Sequence, residues 1–148
     1  MTCTYEYIDN WLKVNLSPER YEHSLGTAEC ARELAERFGE NPEKAYFTGL
    51  IHDCAKCLPK DETLHIIKTF LNLEEGELCS PKTHHAPVGA YIAKKEFKID
   101  DEEILSAIRW HTIGRVNMTP FEKIIFLADK IETRTRPCEI CEPIREAL

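Results

Sequence analysis

The chain holds six histidines, and four of them (His52, His84, His85 and His111) fall at predicted helix ends or in the loops between helices. His23 lies in the first turns of a long predicted helix, and His52 is followed at once by Asp53. Asp129 sits near the C-terminal end of another, within the run Phe126-Leu127-Ala128-Asp129-Lys130. A carboxylate close to the negative end of a helix dipole, among apolar neighbours, is poorly placed unless a cation compensates it. A metal ion would do so. Imidazole nitrogens with carboxylate oxygens suit zinc, iron, manganese or nickel better than calcium or magnesium. With coordination positions left open, such an ion acidifies water near neutral pH. His85 and His111 are then natural ligands of a second ion, with Asp53 bridging the two; a pair of ions steadies both the attacking and the leaving oxygen at phosphorus. Spacing alone leaves plainer readings open: a helix C-cap at His52-Asp53, Asp129 paired with Lys130 or Arg134, and a satisfied helical His23.

The elements that must position these side chains are all read as helices. Ser17-Pro18 supplies an N-cap followed by proline at the first helical position, and Gly39 closes that segment. Between them Leu25, Ala28, Ala31, Leu34, Ala35 and Phe38 recur at helical spacing. Asn41-Pro42 opens a second helix in the same way, running through Ala45, Leu50 and Ile51 into His52-Asp53. Asp61 to Leu71 reads as a further helix, and Glu74 to His84 as a loop with at most a short turn. Helices follow at about Ala86 to Glu96 and Asp101 to Trp110. Thr119-Pro120-Phe121-Glu122 is a capping box that opens a helix to about Ile131. An N-terminal helix around Glu6 to Val14 precedes them all. No strand is needed, and with no linker or repeat in view, residues 1–148 read as one all-α, single-domain helical bundle.

At 148 residues the chain can bury a substantial core, and 43% hydrophobic with 30% charged residues is an ordinary globular composition. A formal charge of −7 argues against nucleic acid as a partner, since such binders show a basic footprint. It does not exclude a small polyanion, because a metal and a few local cations can dominate one cleft. The longest apolar stretch, Ile124-Ile125-Phe126-Leu127-Ala128, is far short of a membrane span. The start, Met1-Thr2-Cys3-Thr4-Tyr5-Glu6, has neither a basic leader nor an apolar run, so a cytoplasmic location is expected. Seven scattered cysteines do not form a secreted disulfide pattern. Cys54/Cys57 and Cys138/Cys141 have ligand-like spacing, but the pairs lie far apart in the chain, and reduced, partly buried thiols are the preferred reading.

The ordered set His23, His52-Asp53 and Asp129 resembles the HD-domain superfamily of metal-dependent phosphohydrolases. The surrounding motifs bring the likeness closer. Arg20-Tyr21-Glu22-His23-Ser24-Leu25-Gly26-Thr27-Ala28, Gly49-Leu50-Ile51-His52-Asp53-Cys54-Ala55-Lys56, His85-Ala86-Pro87-Val88-Gly89-Ala90, Trp110-His111-Thr112-Ile113-Gly114-Arg115 and the run from Glu122 to Glu132 look like the bacterial YqeK family. They stand in the family's order over residues 18–132. The resemblance implies an HD-type fold and a symmetrical dinucleoside tetraphosphatase, splitting diadenosine tetraphosphate into two ADP, usually with iron. It implies His23, His52, Asp53 and Asp129 as catalytic residues and ligands of the principal metal, with His85 and His111 completing a second site or contacting phosphate. Arg20, one helical turn before His23, could reach the same cleft; Lys56, Arg115 and the Thr112 hydroxyl are the other candidate phosphate contacts, each with ordinary solvation as its alternative. The same ligands would serve another nucleotide phosphohydrolase or phosphodiesterase, or a non-catalytic nucleotide- or metal-binding regulator.

The chain departs from the family pattern in three places. Ala86 stands where the family commonly has glycine. After Asp129 the family tends to have Tyr-Ile-Glu-Pro and then an arginine, whereas Lys130-Ile131-Glu132-Thr133-Arg134-Thr135-Arg136 stands here, which shifts that arginine's register. The chain also looks shorter at its C-terminus than the family norm; a partner copy in a homodimer could supply the missing cover.

Overall fold

Five helices of this chain start at a short polar side chain that replaces a missing backbone partner. Thr4 accepts from the Tyr7 amide, Ser17 from Arg20, Asn41 from Lys44, Asp101 from Glu103 and Ile104, and Thr119 from Glu122. Each satisfies a donor that the first turn of a helix otherwise leaves bare. The computed structural model describes residues 3–148, apart from the side chains of residues 138–140. Among these residues it is helical with no strand, as expected: α1 (Tyr5–Asn15), α2 (Pro18–Phe38), α3 (Pro42–Ile51), α4 (Lys60–Phe70), α5 (Glu75–Leu78), a 3-10 turn (Pro81–Thr83), α6 (His85–Lys95), α7 (Glu102–Arg109), α8 (Pro120–Ile131) and α9 (Cys138–Ala147).

Three differences from the expected elements matter. Helix α3 ends at Ile51; His52 is its C-cap, and residues 52–57 form a run of turns that lifts His52 and Asp53 out of the helical repeat. The stretch from Glu74 to His84, expected as a loop with at most a short turn, contains two such turns, α5 and the 3-10 turn. Its anchor is Glu77, fully buried, whose carboxylate takes two hydrogen bonds from Arg109 of α7, at 2.7 Å from Nε and 2.8 Å from Nη2. A lone carboxylate could not be buried there without that fork. Helix α9 was not expected; Pro143 stands inside it, where proline ordinarily interrupts a helix.

Helix α2 runs along α3 and α8, while α6 and α7 pack on each other and α7 on α8. The approach of α2 to α3 is close: a Cβ on Gly49 would stand 2.9 Å from the Cα of Ala28. One apolar cluster, with Ile8, Leu12, Leu50, Ile51, Val88, Phe97 and Ile108, fills one side; a second, with Ala31, Leu34, Phe121 and Ile125, fills the space between α2 and α8. No helix is long and apolar enough to cross a membrane among the described residues.

Candidate metal centre

The five segments that carry the expected ligands converge. His23 comes from the second turn of α2, His52 and Asp53 from the C-cap of α3, His85 from the first residue of α6, His111 from the turn after α7, and Asp129 from the last turns of α8. His23, His52, Asp53 and His111 are at most 1% exposed and Asp129 is 8% exposed, so polar atoms gathered here must satisfy one another or a ligand.

Two carboxylate oxygens organise the cluster. Asp129 Oδ1 lies 2.7 Å from His23 Nε2 and 3.2 Å from His52 Nε2. Asp53 Oδ1 lies 3.3 Å from His85 Nε2, 3.7 Å from His111 Nε2 and 3.9 Å from His52 Nε2. The Nε2 atoms of His85 and His111 are 3.3 Å apart. His23, His52 and Asp129 form one set of potential ligand atoms within 4.8 Å of one another, and His52, Asp53 and His111 form a second. His52 belongs to both.

The rings are oriented from behind. His52 Nδ1 donates to Gly49 O at 2.6 Å and His111 Nδ1 to Ile108 O at 2.7 Å. A backbone carbonyl accepts only, so both Nδ1 atoms carry the proton and both Nε2 lone pairs face the cluster. His23 is held by a carboxylate instead, its Nδ1 lying 2.7 Å from Glu132 Oε2. Lone pairs from imidazole and carboxylate, aimed into one buried space, are the donor set of a transition metal or zinc. The residues present therefore fit such an ion.

The charges follow from this packing. Burial alone would raise the carboxyl of Asp129, but the imidazoles of His23 and His52 beside it outweigh that and hold the group ionised, far below the carboxylate range. Asp53 follows the same logic, with His52, His111 and His85 overcoming burial. Burial pushes the His23 imidazole down, and its bonds to Asp129 and Glu132 more than reverse that. For His85 burial prevails over the pull of Asp53, and the imidazole is held below its usual value. Glu132 is brought down to about 2, its burial overcome by His23 and Thr135.

The expected phosphate contacts divide. Arg20 reaches the cluster: its Nη2 pairs with Asp53 Oδ2, while its Nε is buried without a partner. Lys56 is exposed on the turn after Asp53, and Thr112 is half-buried directly after His111. Arg115 is not brought to the cluster; it forks onto Glu122, at 3.0 Å from Nε and 2.6 Å from Nη2. Two residues at the site were not picked out from the sequence: Glu132 holds His23, and Arg136 bonds Asp129 through Nε to the carbonyl (2.9 Å) and Nη2 to Oδ1 (3.3 Å). Lys130, one of the two partners the sequence offered Asp129, bridges His111 O at 3.1 Å and Asp129 Oδ2 at 3.3 Å through Nζ. The signal for Glu132 was its place three residues after Asp129 at a helix end. The two arginines that follow Glu132 part ways: Arg134 is taken by Glu22 and Glu29, and Arg136 turns to Asp129.

The cysteine pairs stand apart from this cluster. Cys54 is buried with its Sγ towards Gly89 O, Cys57 is exposed, and Cys141 Sγ donates to Lys130 O at 3.1 Å. The Cys138 side chain lies outside the described residues.

The sequence pattern of the HD domain matches residues 20–134. The chain is 45% identical over 124 residues to a protein of Bacillus subtilis (strain 168) named symmetrical bis(5'-nucleosyl)-tetraphosphatase, and 42% identical over 121 residues to a protein of that name from Halalkalibacterium halodurans. Each alignment takes in 82% of this chain and 65% of the relative, so the chain spans just under two-thirds of the length of these relatives. A crystal structure from Clostridium acetobutylicum, described as a predicted HD superfamily hydrolase involved in NAD metabolism, superposes with a TM-score of 0.92 at 39% identity, covering 99% of this chain and 78% of that one.

Proposed function

The chain belongs to the HD-domain family, and from that premise we propose that it hydrolyses diadenosine tetraphosphate symmetrically to two ADP, as a single domain working in the cytoplasm. The observation that carries this reading is the pair of buried ligand sets that share His52. Its chemistry agrees with the activity in the names of the two bacterial relatives. The six free thiols among the described residues suit a reducing compartment.

In this reading His23, His52, Asp53 and Asp129 hold the principal ion, and His85 and His111 complete a second position around Asp53. A bound ion, iron by the family resemblance and manganese, nickel or zinc by the donor set, supplies positive charge for the central phosphates and lowers the pKa of water. The rest falls to the chain. Gly49 O and Ile108 O keep the His52 and His111 protons on Nδ1, away from the cluster. Asp53 and Asp129 stay ionised at neutral pH. Arg20, whose buried Nε lacks a partner, turns that donor to a phosphate oxygen; Lys56 and Thr112 are the further phosphate contacts, and Arg115 would have to release Glu122 to join them. Charge-assisted bonds of this kind count most where negative charge grows during the reaction. In the balance, water's oxygen joins one central phosphorus, the bond from that phosphorus to the central bridging oxygen breaks, and that oxygen leaves with the second ADP.

The test is chromatography of the products after anaerobic iron loading. Two ADP are expected. AMP with ATP would overturn the symmetrical cut, and turnover of a nucleoside triphosphate with none of diadenosine tetraphosphate would assign the site to a different nucleotide.

A further inference from the structure

A substrate cut at its middle extends from the reacting phosphorus in two directions, and each arm is a nucleoside diphosphate. One hollow beside the cluster is built for such an arm. It has a volume of about 350 Å³ and lies between the turn after α3, the start of α4, and the 3-10 turn that leads into α6. His85 is part of its lining and reaches Asp53 Oδ1 at 3.3 Å through Nε2, so the hollow adjoins the His/Asp cluster. The size falls within the range of small-molecule sites.

Its chemistry runs against the rest of the molecule. The chain carries a net charge of −7, yet Lys56, Lys60 and Lys82 line this hollow and, among the described residues, no acidic one does. All three lysines are exposed, and no ion pair engages them among the described residues. The nearest acids on α4, Asp61 and Glu62, line a different hollow with His65. His84 also lines it, and its Nε2 is buried without a hydrogen-bond partner, an omission that a folded protein seldom leaves uncompensated. Leu58, Leu64 and Pro81 supply apolar wall. Cations with no protein partner, a bare imidazole nitrogen and an apolar wall beside them match a phosphate chain joined to a nucleoside.

Resting on the hydrolase reading above, we infer that this hollow seats one nucleoside diphosphate arm, with Lys56, Lys60, Lys82 and His84 Nε2 on its phosphates and Leu58, Leu64 and Pro81 against its nucleoside. Lys60 and Lys82 become binding residues for the phosphates of that arm.

Isothermal titration of ADP into the metal-loaded protein tests this without relying on turnover. Lys60→Gln/Lys82→Gln is compared with wild type and with Lys94→Gln/Lys95→Gln, a pair on α6 that removes the same charge away from the hollow. The expected result is an ADP affinity at least about tenfold weaker in the first pair only, as the loss of one charge-assisted bond implies, with circular dichroism unchanged. KM for diadenosine tetraphosphate rises with it while kcat falls much less. Equal losses in both pairs reduce the effect to net charge and overturn the assignment; so does no loss in the first pair, or no ADP binding by wild type. Should wild type bind ADP through these lysines yet leave diadenosine tetraphosphate uncut, the hollow stands and the hydrolase reading falls.

Discussion

Glu132 shows what a single buried carboxylate does at this site. It is fully buried, and its two oxygens have separate tasks. Oε1 accepts from the amides of Arg134 (2.6 Å) and Thr135 (2.8 Å), while Oε2 faces His23 Nδ1 at 2.7 Å and the Thr135 hydroxyl. The chain leaves room for it: a Cβ on Gly26 would stand 2.5 Å from Oε1. A carboxylate there keeps a proton on Nδ1 and leaves Nε2 to a metal. Glu132→Gln keeps an oxygen for the two amides but sets an amide nitrogen against Nδ1, which must then accept. The expected consequence is a metal affinity about 10- to 100-fold weaker, the usual cost of losing such a partner. Nitrogen NMR of the metal-free variant should show the His23 proton moved to Nε2. Glu132 would be a packing residue only if affinity fell while the tautomer stayed put.

At the scale of elements, the start of α8 decides where Asp129 ends up. Thr119 and Glu122 form the reciprocal capping box expected from the sequence. The structure adds Arg115 and the Ser106 hydroxyl, which bonds Glu122 at 2.7 Å. Burial would raise the Glu122 carboxyl, yet Arg115, Thr119 and Ser106 together bring it below its usual 4.5. A depressed carboxylate lends stability that is fully present above the unfolded value and fades as pH drops through the folded one. Glu122→Gln should therefore cost about 1–3 kcal/mol at neutral pH, with the gap to wild type narrowing below about pH 4.5. Urea unfolding at both pH values measures it, and a gap of constant size would refute the charge argument. This helix also shows what was legible in the sequence. Local chemistry was: Ser17-Pro18, Asn41-Pro42 and Thr119-Pro120 each opened a helix where expected, because a cap acts on residues within one turn of itself. So were the residues that gather in the His/Asp cluster, whose types and motif neighbours are written in the chain. What α5, Arg115, Glu132 and Arg136 do was not legible. Each depends on a partner from a distant segment, such as Glu77 meeting Arg109 or Glu132 meeting His23, and periodicity carries no record of such meetings.

For the molecule as a whole, the candidate ligands are spread over segments that only the complete fold brings together: α2, the cap of α3, the first residue of α6, the turn after α7, and α8. An ion that binds this arrangement and not the unfolded chain stabilises every part of it. At a free concentration one hundred times Kd the gain is about 2.7 kcal/mol, which for a domain of this length raises Tm by roughly 5–10 °C. Calorimetry before and after metal addition should show that rise in wild type and lose it in His52→Ala/Asp129→Ala. The cysteines provide the contrast. Burial pushes the Cys54 thiol up, away from the thiolate that a metal requires, and Cys57 points into solvent. Replacing Cys54, Cys57, Cys138 and Cys141 by serine should therefore leave the metal-induced rise intact, even where the loss of packing at Cys54 lowers the starting Tm. If serine at those four positions abolished the rise while His52→Ala/Asp129→Ala kept it, the ion would belong to the thiols, and the shared His52 would be no more than a buried hydrogen-bonding residue.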